Sequence, residues 1–266
     1  MIKRLITRID LIFTRGSPSI ARVSELADPT RSQTDVVIDG IKGMLTRGEL
    51  QPGSRLPIER DLAALLGVSR GSLREGVRAL ATLGVLETRQ GDGTYVTALD
   101  PAALLSPLSF LADLQQPAHA ADLLAVRRVL EAESVTLAAT RLSDEALANL
   151  DAILGRVDKA LENEAEMDLE EFIQADSDFH HAIAVASGNP PLAALIDALV
   201  GRTFRARLWR AISHRGSVRE TQGEHRAILD ELVRRDPGRA RIRMSTHLLG
   251  VEQFSAAHAG EDPEAG

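Results

Sequence analysis

Four side chains in the second half of the chain have the types and spacing of a metal site. Asp176 and His180 stand four residues apart, so a helix projects both from one face. His225 and His247 flank the break at Asp236-Pro237, 12 and 10 residues from Pro237. At 1.5 Å per residue those offsets are roughly 18 and 15 Å, so an antiparallel helical hairpin brings the two imidazoles nearly level. One carboxylate oxygen and three imidazole nitrogens suit zinc, nickel, manganese or a similar divalent ion, and leave positions for water or a ligand. Spacing alone does not decide the matter, because an Asp and a His four apart are common on helix surfaces and usually bind nothing. The other four histidines read as ordinary: His119 in a connector, His214 near a helix end, His258 in the tail, and His181 about 100° around the helix from His180.

A second set of residues suggests nucleic-acid recognition. Arg70, Arg74 and Arg78 recur every four residues and form a basic stripe, with Ser72 beside its start. Leu73, Val77, Leu80 and Leu83 mark the opposite, core-facing side of the same helix. Guanidinium groups at the exposed start of such a helix can bind guanine edges or phosphates bidentately, and the helix N-terminus offers further donors to a phosphate. A turn bearing Arg89, Gln90 and Gly91 would reach the neighbouring backbone or minor groove.

These groups need elements to hold them. Val37, Ile38, Ile41, Met44 and Leu45 recur at helical steps over 35–45, and Gln51-Pro52-Gly53 forms a turn beyond them. A second helix is predicted over Glu59–Leu66 with Leu62, Leu65 and Leu66 inward, closed by Gly67 as a left-handed cap. Ser69 caps the third helix, which runs to Leu83. Val85–Arg89 and Thr94–Val96 alternate around Gln90-Gly91-Asp92-Gly93, the pattern of a β-hairpin packing on three helices. Residues 99–119, with three prolines, read as a linker with one short helix. From 120 to 258 helical spacing dominates, over 120–141, 143–163, 168–187, 191–213, 218–235 and 237–257. The fold class is mainly α: an N-terminal winged helix-turn-helix over 33–98 joined to an all-α bundle of six to seven helices over 120–258. Residues 1–32 read as a poorly ordered extension and 259–266 as a tail.

Composition sets the outer limits. The 266 residues, 44% hydrophobic and 26% charged, suit two modest globular domains and exclude a disordered or fibrous chain. No cysteine means no disulfide, thiolate metal site or cysteine nucleophile, which fits a cytoplasmic setting. No run approaches the ~18 apolar residues of a membrane span. The net charge of -7 speaks against a polyanion partner until it is divided: 33–98 lies within a segment of nine basic and eight acidic residues, whereas 99–266 carries seventeen and twenty-seven. The acid belongs to a part of the chain that need not meet DNA.

Leu56-Pro57-Ile58-Glu59-Arg60-Asp61-Leu62-Ala63, Leu66-Gly67-Val68-Ser69-Arg70, Leu73-Arg74-Glu75 and Arg89-Gln90-Gly91-Asp92-Gly93-Thr94-Tyr95-Val96 resemble the winged helix-turn-helix of the GntR family of bacterial transcription regulators. That resemblance implies a homodimer on a short palindromic operator in double-stranded DNA, with DNA contacts at Arg60, Arg70, Ser72, Arg74 and Gly91; Ser69 at the helix start and Arg89 and Gln90 at the hairpin tip complete the expected DNA-binding set. Two positions depart from the commonest pattern. Gly71 stands where a hydroxyl residue is frequent, and Gly76 where alanine is usual, at about 1 kcal/mol of helix propensity. Asp176-Ser177-Asp178-Phe179-His180, Ser187-Gly188-Asn189-Pro190, Glu224-His225 and Met244-Ser245-Thr246-His247-Leu248 resemble the FCD effector-binding bundle of the FadR-type branch. This implies a divalent metal, zinc first, on Asp176, His180, His225 and His247. It also implies an effector carboxylate on Arg127, with Arg205 and Arg207 as weaker pocket residues. For Arg127 the alternative is a surface ion pair with Glu131. Asn189 reads as a helix N-cap.

The function expected is a metabolite-responsive regulator, a repressor released by a small carboxylate bound at the metal. The competing readings are a metal-dependent hydrolase with Glu224 or Asp178 as general base, and a regulator whose metal is structural or itself the signal.

Overall fold

A computed structural model describes residues 32–113, 120–214 and 216–258. The extension over 1–31, His119 and the tail from 259 lie outside the described residues, and of Arg205 only the helical backbone is described. Contacts divide the described residues into two compact units: one comprises 32–49 together with 57–77, and the other 50–56 together with the described residues from 78 on.

In the first unit α1 (Gln33–Thr46) opens on a reciprocal cap, Ser32 Oγ accepting from the Asp35 amide and Asp35 from the Ser32 amide. Val37, Ile41 and Met44 form its buried stripe. Helix α2 (Glu59–Leu66) ends at Gly67 with φ 68°, the left-handed cap that glycine tolerates without strain. Ser69 Oγ accepts from the Ser72 amide at 3.0 Å and starts α3 (Arg70–Thr82). Two core assignments are corrected. Leu65 is 66% and Leu83 44% exposed, while Ala63 and Gly76 are buried. Helical periodicity selects a face but does not say how far neighbouring elements cover its edges.

The second unit takes in the end of α3 and then a hairpin, β1 (Leu86–Arg89) and β2 (Gly93–Val96), paired from Leu86 with Val96 to Arg89 with Gly93. It is widened by Ser54–Leu56, where the Leu56 amide donates to the Thr94 carbonyl and the Val96 amide to Ser54. The linker's short helix proves to be thirteen residues, α4 (Pro101–Asp113), with Pro107 inside it.

The bundle comprises α5 (Ala120–Arg141), α6 (Asp144–Ala160), α7 (Leu169–Ala186), α8 (Pro190–Val200), α9 (Phe204–Ser213), α10 (Ser217–Val233) and α11 (Pro237–Ala257). The single helix expected over 191–213 is two, divided by a 3-10 turn at Gly201–Thr203. Side-chain caps start α6 at Ser143, α7 at Asp168, α8 at Asn189 and α11 at Asp236, the last two followed by Pro at N1. Helix α11 lies along α5, α10 pairs with α11, α7 packs on α5 and α6, and α4 rests on α8. Their shared core includes Leu150, Ile173, Phe179, Ile183, Ile228, Leu232 and Met244. Among the described residues no helix is long and apolar enough to cross a membrane.

Candidate functional site

Helix α7 presents Asp176 and His180 inward one turn apart, α10 brings His225, and α11 brings His247, all at most 4% exposed. One ligand atom from each lies within 4.8 Å of the others. His225 Nε2 and His247 Nε2 are 3.3 Å apart. Asp176 Oδ1 is 3.4 Å from His225 Nε2 and 3.9 Å from His180 Nε2. Ligand atoms about 2.0–2.2 Å from a shared ion are themselves separated by about 3–4 Å, so only a small contraction would close the shell. His180 Nε2 is buried without a hydrogen-bond partner, an arrangement that costs free energy unless something with positive charge or a proton meets it. Burial, aided by the neighbouring imidazoles, pushes His225 well below its ordinary pKa. Burial lowers His247 too, against the opposing hydrogen bond that it donates to Glu224. Both shifts favour the neutral ring, the form that binds metal. The residues fit a divalent ion.

Around this cluster stands a ring of charge. Glu131 on α5 accepts from His180 Nδ1, Glu224 accepts from His247 Nδ1 at 2.8 Å, and Arg207 on α9 donates to Asp176 Oδ2. Arg207 also donates to Ser177 Oγ at 3.1 Å and to the Val200 carbonyl at 2.9 Å. Arg127 is fully buried, so neither alternative from the sequence is complete. It does pair with Glu131, Nε to Oε1 at 2.8 Å, but in the interior, and its Nη1 reaches Thr203 Oγ1 at 2.5 Å. Its Nη2 is buried with no partner. The cavity that Asp176, Arg207, Arg210, Ser217 and Thr221 line is only about 20 Å³, room for roughly one water. A larger one of about 230 Å³ lies between α6 and α7, against Arg156, Met167 and Asp178, and touches none of the four candidate ligands. Asp178 itself is bound by Gln174 at 2.9 Å and faces solvent, away from the cluster.

The basic stripe of α3 is exposed as expected. Arg74 is held by Glu59 of α2, Nη2 to Oε2 at 2.9 Å, and Arg60 by its neighbour Asp61. Ser69 and Ser72 share a hydroxyl–hydroxyl bond of 2.9 Å. In the hairpin Arg89 bonds Glu87 and stacks 4.2 Å over the Tyr95 ring, with Gln90 and Gly91 at the exposed tip and Gly91 at φ 76°. Sequence reasoning missed Arg55, which donates to the Asp92 carbonyl and braces the hairpin, and Thr203, which no periodic pattern singles out.

Comparison with known proteins accords with both halves. The profile of bacterial regulatory proteins of the gntR family matches residues 33–96, and that of the FCD domain residues 122–250. The Glc operon transcriptional activator of Escherichia coli strain K12 is 32% identical over 86% of this chain and 91% of its own length. The HTH-type transcriptional regulator LutR of Bacillus subtilis strain 168 is 32% identical over 82% and 99%. The solved structure of Streptococcus agalactiae GntR aligns over 83% of this chain and 99% of its own, with 26% identity and a TM-score of 0.57. These relatives are regulators rather than enzymes, and the chain belongs to the GntR family of transcription regulators, with a winged helix-turn-helix followed by an FCD domain.

Proposed function

We propose that the protein is a metabolite-responsive regulator, a repressor released from its operator by a small carboxylate that binds beside a divalent ion. Asp176, His180, His225 and His247 would hold the ion, zinc being the first choice for this donor set, with nickel or manganese as alternatives. When bound, the ion supplies an open coordination position and positive charge for a carboxylate. Arg127 would hold the same carboxylate through its unpartnered Nη2, with Arg207 and Arg205 as further cationic groups. The observation that carries this reading is the convergence of four buried ligand atoms from three helices on one point, His180 Nε2 among them without a partner. Elemental analysis of the purified protein tests it, with loss of metal expected in His225→Ala and His247→Ala.

Residues 33–98 would read DNA and 120–258 would take the effector, joined by a linker over 99–119, in a homodimer that binds a palindromic operator. Arg70, Arg74, Ser72 and Ser69 at the start of α3 would meet base edges and phosphates, with Arg60 and the hairpin residues Arg89, Gln90 and Gly91 on the backbone. A bidentate arginine–guanine contact is worth about 1–3 kcal/mol of discrimination. A gel-shift series in which Arg74→Ala leaves operator and random-DNA affinity unchanged would sink that assignment. A second reading, in which the ion is purely structural, is favoured by the small volume beside Asp176. It predicts that chelation lowers stability while no organic acid changes DNA binding.

A further inference from the structure

We infer that Glu131 is a positioning residue that ties the metal cluster to the effector arginine, so that the two are linked through one carboxylate. The inference rests on the reading of the site given above. Both oxygens of Glu131 are committed: Oε1 accepts from Arg127 Nε at 2.8 Å, and Oε2 accepts from His180 Nδ1. The side chain is 2% exposed. A carboxylate this deep is costly unless both sides are satisfied. Arg127 Nε–H on one oxygen and His180 Nδ1–H on the other supply the two donors that satisfy it. It therefore stays an acceptor, which keeps the proton of His180 on Nδ1 and turns the Nε2 lone pair toward Asp176 and His225. That Nε2 is the ring atom left without a partner.

The other face of Glu131 sets where Arg127 can be. With Nε on Glu131 and Nη1 on Thr203, the guanidinium plane is fixed and Nη2 is the donor left over. A carboxylate at Nη2 thus binds to a group whose position depends on His180, and by linkage the ion and the carboxylate must change each other's affinity by the same factor, here expected to be a gain. Glu224 provides the comparison. It orients His247 in the same way, but it is 29% exposed and reaches His247 from the solvent side of the cluster. It should tune metal binding alone.

The test uses the full-length protein, Zn2+ competed against a chromophoric chelator, and acetate as the carboxylate probe, titrated with and without Zn2+. Glu131→Gln keeps the shape, but its amide must face either Arg127 Nε–H or His180 Nδ1–H donor to donor. Outer-sphere losses of this kind lower metal affinity by about 10–100-fold. Both Glu131→Gln and Glu224→Gln should fall in that range. Only Glu131→Gln should also shrink the factor by which Zn2+ tightens acetate binding, and only it should shift the His180 Nδ1 resonance in 15N NMR. If Glu131→Gln does not fold, Arg127→Lys replaces it: it touches no ligand yet should lower Zn2+ affinity several-fold. Wild-type Zn2+ affinity in Glu131→Gln or, where that variant does not fold, in Arg127→Lys overturns the inference, as does an equal loss of the acetate factor in both Glu variants. If the wild type binds Zn2+ but acetate is indifferent to it, the effector reading of Arg127 fails and the link with it, while the Zn2+ and NMR results still report on His180.

Discussion

Replacing Gly76 by alanine sets a local rule against a tertiary one. In an exposed helix interior the change is worth about 1 kcal/mol in favour of alanine. Gly76 instead faces α1, where an added Cβ would lie 2.5 Å from Val37 Cγ1, 2.6 Å from Val37 Cβ and 3.4 Å from the Thr34 carbonyl oxygen. Carbon pairs are comfortable at about 3.5–4.0 Å, so α1 and α3 would have to part by roughly 1 Å. Val37 is fully buried, so its methyl groups cannot swing out into solvent. Overpacking of this kind costs about 1–3 kcal/mol, which leaves a net loss of about 0–2 after the propensity gain. Because two units make a single unfolding free energy ill-defined, the assay is amide hydrogen exchange over 33–82, where exchange should speed by up to about 30-fold. Val37→Ala removes the Cγ1 clash but keeps the Cβ one, so Gly76→Ala should cost less, though not nothing, in that background. Slower exchange by about five-fold in Gly76→Ala, the result that propensity alone gives, would refute the steric account.

Three further outcomes follow from the site geometry. Zn2+ at about 100 times its dissociation constant should raise wild-type stability by about 2.7 kcal/mol, an effect a chelator reverses and His225→Ala abolishes; equal thermal shifts in both proteins would remove His225 from the ligand set. Glu59→Gln should tighten DNA binding at low salt by a few-fold, because it frees the exposed Arg74 and removes a negative charge beside the phosphates. Unchanged affinity in a fluorescence anisotropy titration would show that Arg74 does not meet DNA. Thr203→Val strips Arg127 Nη1 of its acceptor and leaves a buried cationic donor unpaired, so the thermal midpoint should fall by the equivalent of about 1–3 kcal/mol; an unchanged midpoint would mean the bond contributes nothing net.

Elements punctuated by their own residues were legible in the chain. Gly67 can close α2 because a left-handed φ is free only for glycine, Ser69 and Asn189 can cap because their oxygens reach amides three residues on, and Asp236-Pro237 stops one helix and starts the next. The break at Gly201–Thr203 was not legible, because no proline or cap motif marks it and the Thr203 hydroxyl is placed by the Val200 carbonyl and by Arg127, which is distant in the chain. The 12- and 10-residue offsets from Pro237 did place His225 and His247 level, since a helical hairpin converts sequence distance into height by a fixed rise.

By itself, then, the sequence determined the mainly α fold class, the helix-turn-helix with its hairpin, and the four residue types of the candidate metal cluster, all properties carried by local periodicity and spacing. Only the tertiary structure decided that Arg127 is interior, that Glu131 is shared between it and His180, that Arg207 rests on Asp176, and that Gly76 is small because Val37 is against it. The physical reason is that burial and pairing depend on which other helix arrives over a residue. Contacts such as Glu131 to His180 join positions 49 residues apart, and neither residue's neighbours in the chain encode the other.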